Sequence, residues 1–544
     1  MRAAGENLPP ALSQRLRNAA RAAWPGRLGV GAVAVVASAA LAVSALPPAD
    51  LGVLAFVALV PLMVACRNLG AAPGAALGWA FGVLSSLGIY RWLLEVPAIG
   101  ALHMGVLAAY VALYPAAWCA LLPRLRRSRL PFVLSAPAAW VAIDWARSHA
   151  SFLALPWGTL AHTQHDNLAL LQLASVAGEA GVSYVVVMVN VALASVCATR
   201  QFRPLGAATS VALVVHLGGL AALWSVPAGD SVRVAAVQPA VPVDARRTPD
   251  QRAAIWQRLE ALTLDVARAH PAVIVWPETA VPDPQLSVEL SRQLAQLAVR
   301  VDAPLIVGAA QLEKFTTRRA DNQVAMALRQ THNAAYLVRP GADPSEPYRK
   351  RRLVPFAEYV PLAGAFSWPA WLVGPGLASL QVGPATPQHW TLPDGTRVAA
   401  LICWENLFAD LARDAARDGA QLLVQLTNDA WFGPTAAGRQ HNLASVLRAV
   451  ENRVPVVIAS NTGPSQVIDA HGRVVASIDE PFSAGAAVGA VARGGGSTVF
   501  QRTGTAWLAS ALVLSVVACG LPRGRGVERR SMRRIEGNAM RSRP

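Results

Sequence analysis

Through the first 225 residues, long apolar runs alternate with short arginine-bearing breaks. That pattern predicts membrane-spanning helices, because a bilayer core needs about 20 consecutive apolar residues that satisfy their own backbone groups. Seven such runs cover residues 28–46, 51–66, 71–90, 101–122, 131–146, 181–199 and 205–224, and an eighth covers 505–521. The second is short and the fifth carries Asp144, which is expected to pair with Arg147 at the interface. Between the seventh and eighth runs the texture changes. Short buried-strand patterns at residues 233–237, 272–276, 304–309, 334–338, 398–402, 422–426 and 456–460 alternate with amphipathic helical patterns at 250–270, 286–301, 406–418 and 439–451. Such alternation predicts a layered α/β domain with helices covering the sheets.

The chain therefore divides into a membrane domain at 1–225, an α/β domain at 226–503, and a last span with a basic tail at 504–544. Arginines before the first span and after the second, fourth and sixth fit the positive-inside rule, as do those in the tail. Both termini are then cytoplasmic and the α/β domain lies outside. A cleavable signal ending near Ala45 is the alternative for the first run, but its loss would put the basic loops on the wrong side. A hydrophobic content of 54% with 15% charged residues excludes an ordinary soluble protein. The net charge of +16 follows this topology and not a basic, aromatic-interleaved nucleic-acid surface, so no nucleic-acid partner is expected.

Four of the five cysteines fall in the apolar runs, leaving Cys403 alone in the α/β region. A single thiol there makes no intradomain disulfide and has no zinc-ligand spacing around it, so neither metal nor cofactor is expected. Cys403 ends a strand and opens a helical stretch, where backbone N–H groups and a helix dipole can stabilise a thiolate; a buried inert cysteine is the alternative. Glu278 stands just past another strand, behind Trp276 and Pro277, where desolvation could make a carboxylate a general base. Lys350 is one of only two lysines, with Lys314, among 48 basic Lys and Arg residues. A chain that otherwise uses arginine points to a need for a compact ammonium at this position, although Lys350 also fits a solvated basic cluster. Together the three residue types supply base, oxyanion partner and nucleophile for acyl transfer.

Three motifs then acquire a common meaning: Val-Trp-Pro-Glu-Thr-Ala around Glu278, the stretch from Tyr348 to Pro361 with Leu-Val-Pro-Phe-Ala-Glu-Tyr-Val-Pro, and Leu-Ile-Cys-Trp-Glu around Cys403. They resemble the Glu, Lys, Cys triad of the nitrilase superfamily. With Thr427 to Gly433 and Ser460 to Gly463, the chain resembles the apolipoprotein N-acyltransferases over nearly its whole length. The resemblance implies a polytopic helical domain of about eight spans plus an extracytoplasmic αββα nitrilase-like sandwich, in a bacterial inner membrane. It implies an acyl chain passing from a phospholipid to Cys403 as a thioester, then to the α-amino group of a diacylated apolipoprotein, by a monomeric enzyme. Glu278 would be the base, Lys350 the partner of the tetrahedral intermediate, and Glu358 the carboxylate that orients Lys350 or moves a proton. Trp404 and Glu405 would be the aromatic and acid that follow the nucleophile. Phe152 to Gly158 resembles the family's Gly-Phe-Pro-Trp loop with Ala154 and Leu155 altered, and residues 243–247 lack the family's Trp. Phe356, Trp368, Trp371, Trp431 and Phe432 could line lipid-facing loops or pack a core. His441, next to Asn442, reads as capping or packing against a helix. A membrane-tethered amidase that gives the acyl group to water is the competing reading, and a transporter or scaffold is disfavoured by sparse intramembrane charge.

Overall fold

The computed structural model describes residues 29–224, 230–242, 248–318, 324–373 and 379–520. The basic segment ahead of the first helix, the stretch 243–247 and the C-terminal arginines lie outside the described residues.

Among the described residues, four helices are long and apolar enough to cross a membrane: Ala71–Ile89, Ala101–Arg126, Ala174–Thr199 and Arg203–Trp224. Shorter apolar helices occupy Gly29–Ser44 and Ala506–Val517, and a further helix of 17 residues covers Phe132–Ser148. Residues 51–66, expected as a helix, are not a regular one. They break into a 3-10 turn at Gly52–Phe56, a short helix at Val60–Ala65 and a second 3-10 turn at Cys66–Asn68. Neighbouring polar side chains make this tolerable: Leu59 N donates to Asn190 Oδ1 at 2.8 Å, Asn190 Nδ2 donates to Ala55 O at 2.8 Å, and Leu62 N donates to Ser38 Oγ at 3.0 Å. Irregular backbone survives in an apolar setting when protein groups satisfy it. Asp144 pairs with Arg147 at 2.8 Å.

The α/β region is a two-sheet sandwich. The first sheet holds β1 (Ser231–Gln238), β2 (Val273–Val275), β3 (Val281–Pro282), β4 (Leu305–Arg318), β5 (Val324–Val338) and β6 (Tyr348–Arg349). The second holds β7 (His389–Thr391), β8 (Arg397–Ile402), β9 (Leu422–Thr427), β10 (Val456–Ser460), β11 (Ser465–Ile468) and β12 (Val474–Ile478), and β13 (Gly485–Ala492) returns to the first beside β1. Strands β8, β9 and β10 run parallel. Buried on both faces, they read in sequence as unbroken apolar runs. Val234, Val275 and Ile306 of one sheet meet Val398, Val424 and Val457 of the other in the central core. Helices Pro249–Ala267 and Val288–Val301 cover the outer face of the first sheet, where Leu259, Leu294 and Leu297 are buried. Helices Ala409–Arg417 and Ala437–Asn452 cover the outer face of the second, and their apolar surface continues into Trp92, Trp157 and Val182 of the membrane half. The layers are therefore αββα, with one helical layer seated on the membrane helices.

Candidate active site

The parallel register places chemistry at one edge of the second sheet. Ile402 pairs with Leu426 and Thr427 with Ser460, so Cys403, the Thr427–Asp429 segment and Ser460 gather where the strands end. Open α/β sheets form sites at such carboxyl edges. The chain leaves β8 abruptly: Cys403 has φ of 55°, in the left-handed region, and opens a 3-10 turn over Cys403–Leu407. That conformation costs a non-glycine residue roughly 1–2 kcal/mol and holds the half-buried side chain clear of the strand direction.

Glu405 secures the turn. Fully buried, its carboxylate accepts from Ile402 N at 2.7 Å, Arg351 N at 2.6 Å, Arg352 N at 2.9 Å and the Tyr348 hydroxyl at 2.8 Å. Trp404 Nε1 donates to Arg352 O at 2.7 Å. The two residues after Cys403 thus grip the segment that carries Lys350, coupling the position of the ammonium to that of the thiol.

Lys350 is 1% exposed, and its Nζ lies 2.9 Å from Glu358 Oε1 and 3.8 Å from Glu278 Oε1. Asn333 on β5 donates through Nδ2 to Glu278 Oε1 at 2.5 Å and to Glu358 Oε1 at 3.4 Å. The Asn333 backbone carbonyl accepts from Lys350 N at 2.9 Å. Val354 N in turn holds Glu358 Oε2 at 2.8 Å. Gly308 on β4 backs the base: a Cβ there would lie 2.2 Å from Pro277 O and 2.8 Å from Glu278 Cα, so only glycine lets the strand pass this close.

Burial alone would push the Lys350 ammonium down, but Glu358, Cys403 and Glu278 outweigh it and hold it above its ordinary value. Opposite charges 3.8 Å apart attract by about 4 kcal/mol at an effective dielectric near 20. Burial pushes the Glu278 carboxyl up, with Lys350 opposing. Burial likewise pushes the Cys403 thiol well up, with Glu278 adding to it and Lys350 opposing. A thiol held protonated beside a carboxylate of raised basicity, next to a fixed ammonium, can pass its proton to the carboxylate as the sulfur attacks, and the ammonium can meet the oxyanion.

The structure brings Glu278, Lys350, Cys403, Glu358 and Glu405 into one cluster, with Trp404 packed edge-on against Phe408 beside it. Sequence reasoning missed Asn333, a polar residue just ahead of the apolar strand pattern at 334–338, and gave His441 only a capping or packing role. His441 Nδ1 lies 3.0 Å from Asp429 Oδ1. Of the loop aromatics, Trp371 and Trp431 are 47% and 49% exposed, whereas Phe432 packs edge-on against Trp92, and Trp368 gathers Phe152, Phe356 and Phe366 around it. Ligand-type atoms also meet at Asp50, His165 and Asp166, within 4.8 Å of one another, in loops of the membrane half.

Comparison with known proteins bears on both halves. The family model for the apolipoprotein N-acyltransferase N-terminal domain matches residues 38–192, and that for carbon-nitrogen hydrolase matches residues 233–495. The apolipoprotein N-acyltransferase of Geobacter metallireducens is 31% identical over 514 residues, covering 89% of this chain and 94% of that protein. That of Gloeobacter violaceus is 32% identical, covering 81% and 85%. Among solved structures, an amidase from Nesterenkonia sp. aligns with 53% of this chain and 98% of its own, at 17% identity and a TM-score of 0.35. Matched over 89% of its length at this level of identity, the chain belongs to the apolipoprotein N-acyltransferase family.

Proposed function

We propose that this chain moves an acyl group from a phospholipid to Cys403 and then to the α-amino group of the N-terminal diacylglyceryl-cysteine of a lipoprotein. Family membership supports the overall reaction. The observation that carries the site assignment is the ammonium of Lys350 locked between Glu278 and Glu358 and tied through Glu405 to the Cys403 turn. In this reading Glu278 takes the thiol proton as sulfur attacks the ester carbonyl, Lys350 meets the oxyanion, and Glu358 keeps Lys350 charged and aimed. Glu278 then protonates the departing lysolipid oxygen. An α-amino group with a pKa near ~8 is partly neutral at neutral pH and can open the thioester.

Both substrates are lipids, so the site has to stand at a membrane surface. The apolar face shared by the second sheet's helices and the membrane helices supports that placement, as do the exposed Leu362, Phe366 and Trp371 beyond Glu358. We assign eight spans, with a membrane domain at 1–225, a periplasmic catalytic domain at 226–503 and a last span at 504–544, in the bacterial inner membrane and acting as a monomer. Acyl transfer to water by an amidase-like enzyme is the competing outcome of the same triad.

The test is to incubate the purified protein in detergent with labelled phospholipid. A hydroxylamine-sensitive label is expected on wild type and absent from Cys403→Ala, and equal labelling of both defeats the assignment. Adding a diacylated lipopeptide should discharge the label as an amide; release of free fatty acid alone supports the hydrolase.

A further inference from the structure

The second half-reaction has a proton that the triad does not accommodate. An α-ammonium carries three protons, the amide product keeps one, and the cysteine sulfur recovers one through Glu278. One proton has to leave the nitrogen by another route, and it has to leave first, because only the neutral amine has a lone pair for attack.

A buried pair beside the triad fits that task. Asp429, two residues past the strand that neighbours Cys403, is 3% exposed. It accepts from Thr427 Oγ1 at 3.2 Å and Ser460 Oγ at 3.3 Å, and lies 3.0 Å from His441 Nδ1. It is close enough to raise both Glu278 and Cys403 electrostatically. A carboxylate at Nδ1 fixes the proton there and leaves Nε2 with its lone pair. His441 is 1% exposed, yet its Nε2 has no hydrogen-bond partner among the described residues. Its ring is held by Asp429 at Nδ1 and by the Trp157 indole from the membrane half, which stacks on the imidazole at 5.2 Å, while Asn406, in the Cys403 turn, donates to the His441 backbone carbonyl at 2.8 Å. Next to it, Gln440 joins Trp92, Trp157 and Pro47. His441 thus stands at the seam between the membrane half and the catalytic edge. Packing alone would leave a buried nitrogen unmatched at about 1–3 kcal/mol, a deficit that a ligand N–H would remove.

We propose that His441, oriented by Asp429, accepts the first proton of the acceptor ammonium at Nε2; the inference rests on the acyl-transfer reading above. The ammonium N–H bond breaks and the proton binds Nε2. The freed lone pair forms the C–N bond at the thioester carbonyl, and the C–S bond breaks. The second N–H proton passes through Glu278 to sulfur, and the imidazolium, balanced by Asp429, gives its proton to solvent as product leaves.

The experiment uses the full-length protein with Cys403 loaded from labelled phospholipid, then chased at neutral pH with a diacylated lipopeptide or with hydroxylamine, an amine that is already unprotonated there. In His441→Asn the donor to Asp429 is kept and Nε2 is deleted. Loading is expected to stay near wild type, discharge by lipopeptide to fall about 100-fold, and discharge by hydroxylamine to be unchanged. Equal slowing with both acceptors, or with neither, overturns the proposal. Should His441→Asn fail to fold, His441→Gln carries the same comparison with a non-basic amide in place of the ring, with the same selective loss expected and the same two outcomes overturning it. If wild type never loads Cys403, the acyl-transfer reading fails and not this one alone.

Discussion

Glu405→Gln isolates what holds the site together. The buried carboxylate receives four hydrogen bonds, from the N–H groups of Ile402, Arg351 and Arg352 and from the Tyr348 hydroxyl. Glutamine keeps one accepting oxygen. Left at Oε1 it still serves Arg351 and Arg352, but its NH2 then faces the Ile402 N–H, which cannot turn away; Tyr348 can rotate to accept. Bonds to a charged acceptor are about twice as strong as neutral ones, so three weakened bonds and one lost bond amount to roughly 4–6 kcal/mol. Burial opposes the charge and raises the Glu405 carboxyl above its ordinary value, so a neutral side chain recovers part of this. The net loss should be roughly 2–4 kcal/mol, a fall of roughly 3–7 °C in the thermal midpoint of the α/β domain. Because Arg351 and Arg352 directly follow Lys350, the ammonium also shifts, and a displacement near 1 Å costs on the order of 100-fold in rate. Thermal unfolding in detergent and single-turnover loading of Cys403 measure the two effects. A Glu405→Gln protein with the wild-type midpoint and wild-type loading rate would falsify the claim that this carboxylate couples Lys350 to the thiol.

Three further perturbations follow from the same geometry. Gly308→Ala forces a Cβ against Pro277 O and Glu278 Cα, so Glu278 has to move, and loading of Cys403 is expected to drop at least tenfold at a stability cost of about 1–3 kcal/mol; unchanged loading shows that the base does not depend on this strand. Because burial raises the Glu278 carboxyl, the base is lost below a pH higher than the ordinary carboxylate value of about 4.3, and the acid limb of the loading rate should be displaced upward. The ammonium of Lys350, held up by its carboxylates, should add no alkaline limb below about pH 10. Glu451 shares Arg448 with Glu179, accepts from Glu179 N at 2.9 Å and is raised by burial to about 7. A folded value above the unfolded one contributes stability at low pH that is lost as pH climbs from about 4.3 toward 7, so Glu451→Gln should gain in midpoint relative to wild type between pH 5 and pH 8. A pH-independent difference would place the ionisation elsewhere.

What the sequence made legible follows from where hydrophobic burial dominates. The parallel strands are apolar on both faces and stand out, and the residue after each strand end is then a natural place to look; Cys403 and Glu278 were found that way. Strand β13, Gly-Ala-Ala-Val-Gly-Ala-Val-Ala, carries little β propensity of its own and is a strand because all eight residues pair with β1. Strand β12, half exposed, has no clean alternation. The same reasoning explains residues 51–66, where composition announces an apolar segment but only Asn190 and Ser38, from other helices, permit the break.

The site's supporting atoms were hidden for a related reason. Asn333 and Lys350 meet because β5 and β6 pair antiparallel, with Ala334 opposite Arg349, a register that no local pattern encodes. His441 sits in a helix whose residues from Ala437 to Asn452 are nearly all buried, so no amphipathic stripe separates a packing position from a functional one. Polar residues are the informative ones there. Gln440, His441, Arg448 and Glu451 are all buried in one helix, and their partners reach across to Pro47, Trp92, Trp157 and Glu179 of the membrane half or to the catalytic edge itself. Burying so many polar groups is unfavourable unless each is matched. That helix is therefore best understood as the joint through which the membrane half sets the position of the catalytic edge, with the free Nε2 of His441 as the one buried imidazole nitrogen along it still awaiting a partner.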